Sequence, residues 1–175
     1  MDEAGADGKV NFRIFHGAEA PSLEASGMEK HRPDHAGPPA DVLSALADFG
    51  DRGYGHRALF VGNGLSLLHL WFKSGFALPR HSHDTDCVYF VVAGSLRIGT
   101  SDLRCGDGFF VGAGVPYTYT AGESGVEVLE FRGAEQFYLD LVGKSPSFWT
   151  KWVETMRDKQ GSWPTEQRPS QASAG

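Results

Sequence analysis

Apolar and polar side chains alternate over many short stretches in the middle of this chain of 175 residues. Such alternation is typical of strands, whose successive side chains point to opposite faces, and glycines between the stretches favour turns. The clearest pair, 58–61 and 65–73, flanks Gly62-Asn63-Gly64, which is a hairpin signal. Further strands are predicted over 87–94, 96–99, 109–111, 117–120, 126–132 and 136–142. This spacing predicts an all-β barrel or sandwich.

Helical spacing is found on either side of the predicted barrel. Asp41 precedes an apolar repeat and Gly50 follows it, which predicts a short helix near 41–49 with Asp41 as N-cap and Gly50 at its C-terminal end. A second repeat lies within 147–156 and predicts a C-terminal helix packed on the barrel or on a second subunit. Its apolar face comprises Phe148, Trp149, Trp152, Val153 and Met156.

Composition divides the chain into three segments. Residues 1–40 combine an acidic start with many prolines and glycines, and are interpreted as an N-terminal tail and arm. Residues 41–160 form the predicted domain with its flanking helices. Residues 161–175 are polar and are predicted to be disordered. His16, His31, His35 and His56 are placed in loops.

The stretch from Gly75 to Gly94 contains the candidate chemistry. His81 and His83 are separated by one residue at the point where the chain leaves a proline-containing turn and enters a strand. Side chains two apart in a strand share a face, so both imidazoles can reach one metal ion.

This stretch resembles the first motif of the cupin superfamily, which reads Gly, five residues, His-x-His, three or four residues, Glu, six residues, Gly. Gly75, His81, His83 and Gly94 match that spacing, and Cys87 stands at the Glu position.

Residues 106–117 resemble the second cupin motif. Gly106, Asp107 and Gly114 match it, whereas Tyr117 stands at the position of its histidine. The resemblance covers roughly residues 57–132. It implies a single, jelly-roll-like cupin β-barrel whose metal is held by the two histidines, the glutamate and the later histidine.

Two of those four ligand positions are replaced in this chain. The metal prediction therefore names His81, His83 and Cys87, with iron as the favoured divalent ion and zinc, manganese or nickel as alternatives. The competing interpretation is that the fold persists while the metal is lost or weakly held.

Cys87 has three interpretations. It could be a thiolate ligand, or a small apolar filler of the core, because free cysteines are often buried. The third comes from the resemblance: in cysteine dioxygenases, which are cupins, a cysteine at this position is cross-linked to a tyrosine beside the iron. Tyr117, Tyr119 and Tyr138 are the candidate partners.

Three further side chains are candidate catalytic residues. Tyr117 could ligate the metal or donate a proton, and Tyr89 shares the face of Cys87 and resembles by position the base of some cupin lyases. His69 would be a third nitrogen ligand or a general base if it points into the barrel. Alternation alone leaves its direction open.

Charge and cysteine content limit the classes of binding partner and the cellular location that we expect. A net charge of −6 argues against nucleic acid and anionic membranes, and the acidic first ten residues do not resemble a signal peptide. We therefore expect a cytoplasmic protein that binds a small molecule and neither nucleic acid nor membrane. Two cysteines are too few for a disulfide framework. The long arm and edge strands predict a homodimer.

The expected function is that of a metal-dependent cupin enzyme, most simply an iron dioxygenase-type oxidoreductase acting on a small organic molecule. A metal-dependent isomerase or lyase is the first alternative. A non-catalytic cupin that binds a small molecule without a metal is the second, and a structural cupin with an aromatic-filled cavity is the third.

Overall fold

The computed structural model describes residues 3–4, 9–30, 32, 38–143 and 145–172. Its strands are β1 Glu3–Ala4, β2 Val10–Phe12, β3 Glu29–Lys30, β4 Tyr54–Gly62, β5 Leu65–Phe72, β6 His81–His83, β7 Cys87–Ile98, β8 Ser101–Arg104, β9 Gly108–Val111, β10 Thr120–Arg132 and β11 Phe137–Leu141. Its helices are α1 Leu23–Ser26, α2 Ala40–Gly53, α3 Pro146–Lys159 and α4 Pro169–Ala172, with a 3₁₀ turn at Trp163–Thr165.

The strands form two main sheets. The larger has the order β4-β5-β10-β7-β8, with β9 also paired to β7, and its pairings are antiparallel. The smaller has the order β3-β11-β6. Side chains from both sheets join one hydrophobic core that includes Val128 of β10 and Phe137 of β11. The predicted all-β fold is confirmed.

Gly94, the last residue of the first motif, is required by a close approach between β7 and β10. Its φ is +72°, in the left-handed region, and a Cβ atom there would lie 2.2 Å from the carbonyl oxygen of Gly125. No other residue type fits this position without moving the backbone.

Helix α2 confirms the helix predicted near 41–49, but both of its ends differ from the prediction. Pro39 is the N-cap and makes no side-chain capping bond, so Asp41 lies in the first turn instead. The helix continues through Gly50 and ends at Gly53. Its last turn packs closely on distant segments, since Gly53 lies against the Phe76 and Trp163 rings, and Phe49 packs edge-on against Trp152 and Trp163.

Helix α3 is the predicted C-terminal helix. Its face of Trp149, Trp152, Val153 and Met156 is buried against the barrel. The indole nitrogen of Trp152 donates a hydrogen bond to the Ala77 carbonyl oxygen at 2.8 Å, which fixes the helix to the barrel wall.

The part of the C-terminal segment that is described, 161–172, is packed rather than disordered. Trp163 is fully buried, donates through its indole nitrogen to the Ser74 carbonyl oxygen at 3.0 Å, and packs against Phe76. Burial of this large ring and the hydrogen bond that Glu166 accepts from the Ser74 backbone N–H, at 2.8 Å, stabilise the segment. Residues 173–175 lie outside the described residues.

Part of the N-terminal arm belongs to the barrel. Strand β3 pairs in parallel with β11, and Val10 exchanges two hydrogen bonds with the Asn63 side chain at 3.0 and 2.8 Å. Residues 1–2, 5–8, 31 and 33–37 of this predicted segment are not among those described. In the described part of the chain, no helix combines the length and apolar character needed to cross a membrane.

Candidate functional site

The paired histidines of the first motif lie beside the tyrosine of the second. His81 and Tyr117 face each other across a β-bridge in which each backbone N–H donates to the other residue's carbonyl oxygen, at 3.1 and 2.9 Å. The ring centroids of His81 and His83 are 4.8 Å apart, and both side chains are buried. The two motifs therefore bring their side chains into one place, as the resemblance implies.

Hydrogen bonds determine which nitrogen of His81 carries the proton. Its Nδ1 lies 2.7 Å from the Pro79 carbonyl oxygen, which can only accept, so Nδ1 is the donor. Its Nε2 then accepts from the Tyr117 hydroxyl at 2.8 Å. The same hydroxyl oxygen lies 3.3 Å from His83 Nε2 and is hydrogen-bonded to the hydroxyl of Tyr89. The Tyr117 oxygen thus occupies the point on which both imidazoles converge.

Burial keeps both imidazoles neutral. It lowers the pKa of His81 to about 4, with a further lowering from the Arg132 charge. Burial, His81 and Arg132 together lower the pKa of His83 to about 2. Burial and the Glu130 charge raise the pKa of Tyr117 well above its ordinary value, so its hydroxyl also stays protonated. Near neutral pH this is a network of uncharged donors and acceptors.

A buried ion pair borders this network. Arg132 Nη2 donates to Glu130 Oε2 at 2.6 Å and to His83 Nε2 at 3.4 Å, while the guanidinium carbon lies 4.0 Å from the centroid of the Phe137 ring. Burial acts to lower the pKa of Arg132, but the Glu130 carboxylate raises it above its ordinary value, and the guanidinium stays charged. The site therefore contains one fixed positive charge beside the histidines.

Cys87 is buried at the start of β7, and its environment favours the neutral thiol. Burial and the Glu130 charge raise the pKa of Cys87 to about 12. Its sulfur lies 3.9 Å from the Val88 carbonyl oxygen. Of its candidate cross-link partners, Tyr138 is 37% exposed and stacks under Arg32 instead.

His69 points away from this site. It lies on the outer face of β5, where its Nε2 is 3.0 Å from Glu127 Oε2 and where the Arg168 charge also acts on it. The structure thus decides the direction that alternation left open. The role predicted for an inward-facing His69 does not apply.

A cavity of about 240 Å³ opens beside the histidines. Glu29, His81, His83, Glu130 and Arg132 contribute polar groups to its lining, and leucines together with the Phe72 and Phe137 rings form most of its apolar wall. His56, which the sequence placed in a loop, lies in β4 and lines the same cavity. A larger, open groove of about 1370 Å³ lies elsewhere, and none of these side chains lines it.

These residues do not fit the metal that the cupin resemblance implies. Among the described residues, no group of three His, Cys, Asp or Glu side chains is placed to hold an ion. The Tyr117 hydroxyl stands where both Nε2 lone pairs point, and the Arg132 guanidinium lies 3.4 Å from His83 Nε2. A divalent cation there would have to displace a protonated hydroxyl and approach a fixed positive charge.

Sequence reasoning missed Glu130 and Arg132, although a signal for them was present. Val126 and Val128 are fully buried, and Glu130 and Arg132 continue the same alternation on β10. Two opposite charges on the inward-facing side of a buried strand predict an internal ion pair. Which side of β10 faces inward could not be assigned without the fold.

We compared the sequence and the structure with those of known proteins. No family model matches the sequence, and no curated protein matches it. Among solved structures, the polyketide cyclase RemF from Streptomyces resistomycificus is 14% identical, with 83% of this chain and 98% of that chain covered at a TM-score of 0.55. KdgF from Halomonas sp. is 19% identical over 48% of this chain and 82% of that one, at a TM-score of 0.45.

An RmlC-like cupin from Shewanella frigidimarina is 24% identical over 46% of this chain and 76% of that one, at a TM-score of 0.42. At 14% identity, the likeness to RemF shows the fold alone. The protein has the fold of the cupin superfamily, as the two motifs indicate.

Proposed function

We propose that this cupin binds a small organic molecule in the cavity beside His81 and His83, and that binding does not depend on a metal ion. The observation that carries the proposal is the position of the Tyr117 hydroxyl and the Arg132 guanidinium, which take the place facing both imidazoles. A cavity with apolar walls and a few convergent polar groups is typical of a small-molecule site.

The chain's own residues determine what such a site can do. His81 and His83 present neutral rings to the cavity. The Pro79 carbonyl oxygen and the Tyr117 hydroxyl, which is itself bonded to Tyr89, hold His81 in one tautomer. Arg132 adds a charged donor and Glu130 a carboxylate. Arg132, Glu130 and His83 bind and orient a polar end of a ligand, while the leucines exclude water from its body. His81 contributes only the surface of its ring, because both of its nitrogens are already hydrogen-bonded.

Metal analysis tests the proposal against the oxygenase, isomerase and lyase activities predicted from the sequence. Protein purified without added metal is expected to contain well below one ion per chain by elemental analysis. The control is the protein with His81→Ala and His83→Ala together. One ion per chain in the wild type, lost in that variant, would overturn the metal-free proposal and restore the metal enzyme.

Cavity binding has its own test. Benzamide, phenylacetamide, 3-methylbutanamide and the three corresponding acids form a panel of small molecules, with affinity measured by calorimetry. At least one member should bind the wild type, and Leu46→Trp should abolish binding because Leu46 lines the cavity. Leu65→Trp, on the exposed hairpin, is the matched control. Absence of binding by all six compounds would refute the proposal.

A further inference from the structure

Arg132 is the most constrained charged side chain of the site. It is 1% exposed, and it projects from β10 towards the histidines of β6. Its carboxylate partner Glu130 lies on the same strand, and both side chains line the cavity. The pair therefore borders the cavity and is shielded from the outer surface of the protein.

Most of the hydrogen-bonding capacity of Arg132 is unused. The bonds to Glu130 and His83 both use Nη2, whereas Nε and Nη1 are buried without a partner among the described residues. These two nitrogens carry three N–H donors. Leaving buried donors unpaired costs free energy, so the arrangement is incomplete as a purely structural ion pair.

The unused groups identify the chemistry of the ligand. Because a guanidinium can only donate, the missing group must be an acceptor, and a carboxylate makes the strongest hydrogen bonds to it. The leucines and the Phe72 ring that line the cavity require an apolar body. Its volume of about 240 Å³ lies below the range of roughly 300–1,000 Å³ usual for drug-sized ligands, so the molecule is small.

We infer that the cavity binds a small monocarboxylic acid with an apolar body, whose carboxylate is held by Nε and Nη1 of Arg132. The inference rests on the proposed function and adds the ligand class to it. Glu130 holds the guanidinium in position, and Phe137 supports its face.

Comparison of each acid with its own amide tests the inference. Acid and amide have nearly the same shape, so the difference between them reports the carboxylate charge. For at least one of benzoate, phenylacetate and 3-methylbutanoate, the dissociation constant should be at least about tenfold lower than that of its amide. Amides that bind as tightly as the acids would overturn the inference and leave the proposed function standing. Absence of binding by either set would remove both.

A charge-free variant locates the effect. Glu130→Gln with Arg132→Met removes both charges, so it avoids an unpaired buried carboxylate, and circular dichroism establishes its fold. It should bind acid and amide with equal affinity. Arg97→Met, which removes an exposed arginine, should keep the wild-type preference. A preference that persists in the charge-free variant would place the carboxylate elsewhere and contradict the assignment to Arg132.

Discussion

The two faces of β7 and β10 differ in a way that is the reverse of most half-buried sheets. Near the cavity, their inward face carries Tyr89, Glu130 and Arg132, each 5% exposed or less. Their outward face carries Val88 and Phe131, exposed by 48% and 44%. Polar groups inside and apolar groups outside both cost stability, so each face points to a use beyond folding.

On the inner face, hydrogen bonds between the polar side chains offset the cost of burying them. The exposed apolar side chains of the outer face have no comparable compensation within the described part of the single chain. Within the described residues, Glu130 is paired with Arg132 and the Tyr89 hydroxyl with Tyr117. On the outside, Phe110, Val88 and Phe131 are neighbours across β9, β7 and β10, and we call these three residues the outer row. Substitutions should therefore be costly inside and mild outside, apart from any effect on association.

The largest effect is expected from Arg132→Met. It leaves the Glu130 carboxylate buried without its partner, which should lower the free energy of unfolding by about 3–5 kcal/mol in denaturant titrations. Adding Glu130→Leu to the same chain should recover most of that loss. Arg97→Met breaks an exposed pair with Asp102 and should change stability by less than about 1 kcal/mol. A cost for Arg132→Met as small as this would show that the inner pair is solvated.

Acid should destabilise the protein through its buried histidines. In the unfolded chain His81 binds a proton below pH 6.5, whereas in the folded protein its pKa is lowered to about 4. Protons therefore favour unfolding between these values, and stability present above pH 6.5 is lost as the pH falls to 4. The slope for one histidine reaches about 1.4 kcal/mol per pH unit.

The comparison of wild type with His81→Gln isolates this contribution. Unfolding free energies measured from pH 7 to pH 4.5 should fall less steeply in the variant, since glutamine does not titrate. Tyr117, His83 and the Arg132 charge face the His81 ring, and all three remain in the variant. Identical slopes would mean that His81 is protonated as easily in the folded protein as in the unfolded chain.

A smaller effect is expected from Tyr117→Phe. Loss of the hydroxyl leaves His81 Nε2 and the Tyr89 hydroxyl without their shared partner, at a cost of about 1–3 kcal/mol. Tyr138→Phe, which removes a hydroxyl from a half-exposed ring, should be within about 0.5 kcal/mol of the wild type. Equal stabilities for the two variants would argue against the buried network.

The smallest effect on the free energy of unfolding is expected for substitutions in the outer row. Phe110→Ser alters a side chain that is 63% exposed, so the free energy of unfolding of a single chain should change by no more than about 0.5 kcal/mol. Its effect should be on association, because contiguous exposed apolar side chains mark interaction surfaces. We expect the predicted homodimer to use the outer row, and light scattering should show a monomer for Phe110→Ser.

Phe148→Ser on α3 is the control for that experiment, since Phe148 is partly exposed and lies away from the outer row. It should remain a dimer. A monomeric wild type would contradict the predicted homodimer, and a dimeric Phe110→Ser would move the interface to another surface.

Much of this architecture could be predicted from local patterns. Alternation identified the hairpin of β4 and β5, and an apolar helical face identified α3. The resemblance to the two cupin motifs implied that His81 and His83 lie beside Tyr117, and their ring centroids are 4.4 and 6.1 Å from that of Tyr117. The length of α2 and the packing of Trp163 could not be read in this way, since each depends on contacts with distant segments.

By itself, the sequence determined that the chain forms short strands closed by glycine turns and that two imidazoles share one face, since both follow from the period of the backbone. Only the tertiary structure decided which face is inside. It turned His69 outward to Glu127 and brought Arg132 to within 3.4 Å of His83, 49 residues away. Alternation specifies that neighbouring side chains oppose each other, but the packing of the two sheets selects the buried side, and that selection placed a guanidinium where a metal was expected.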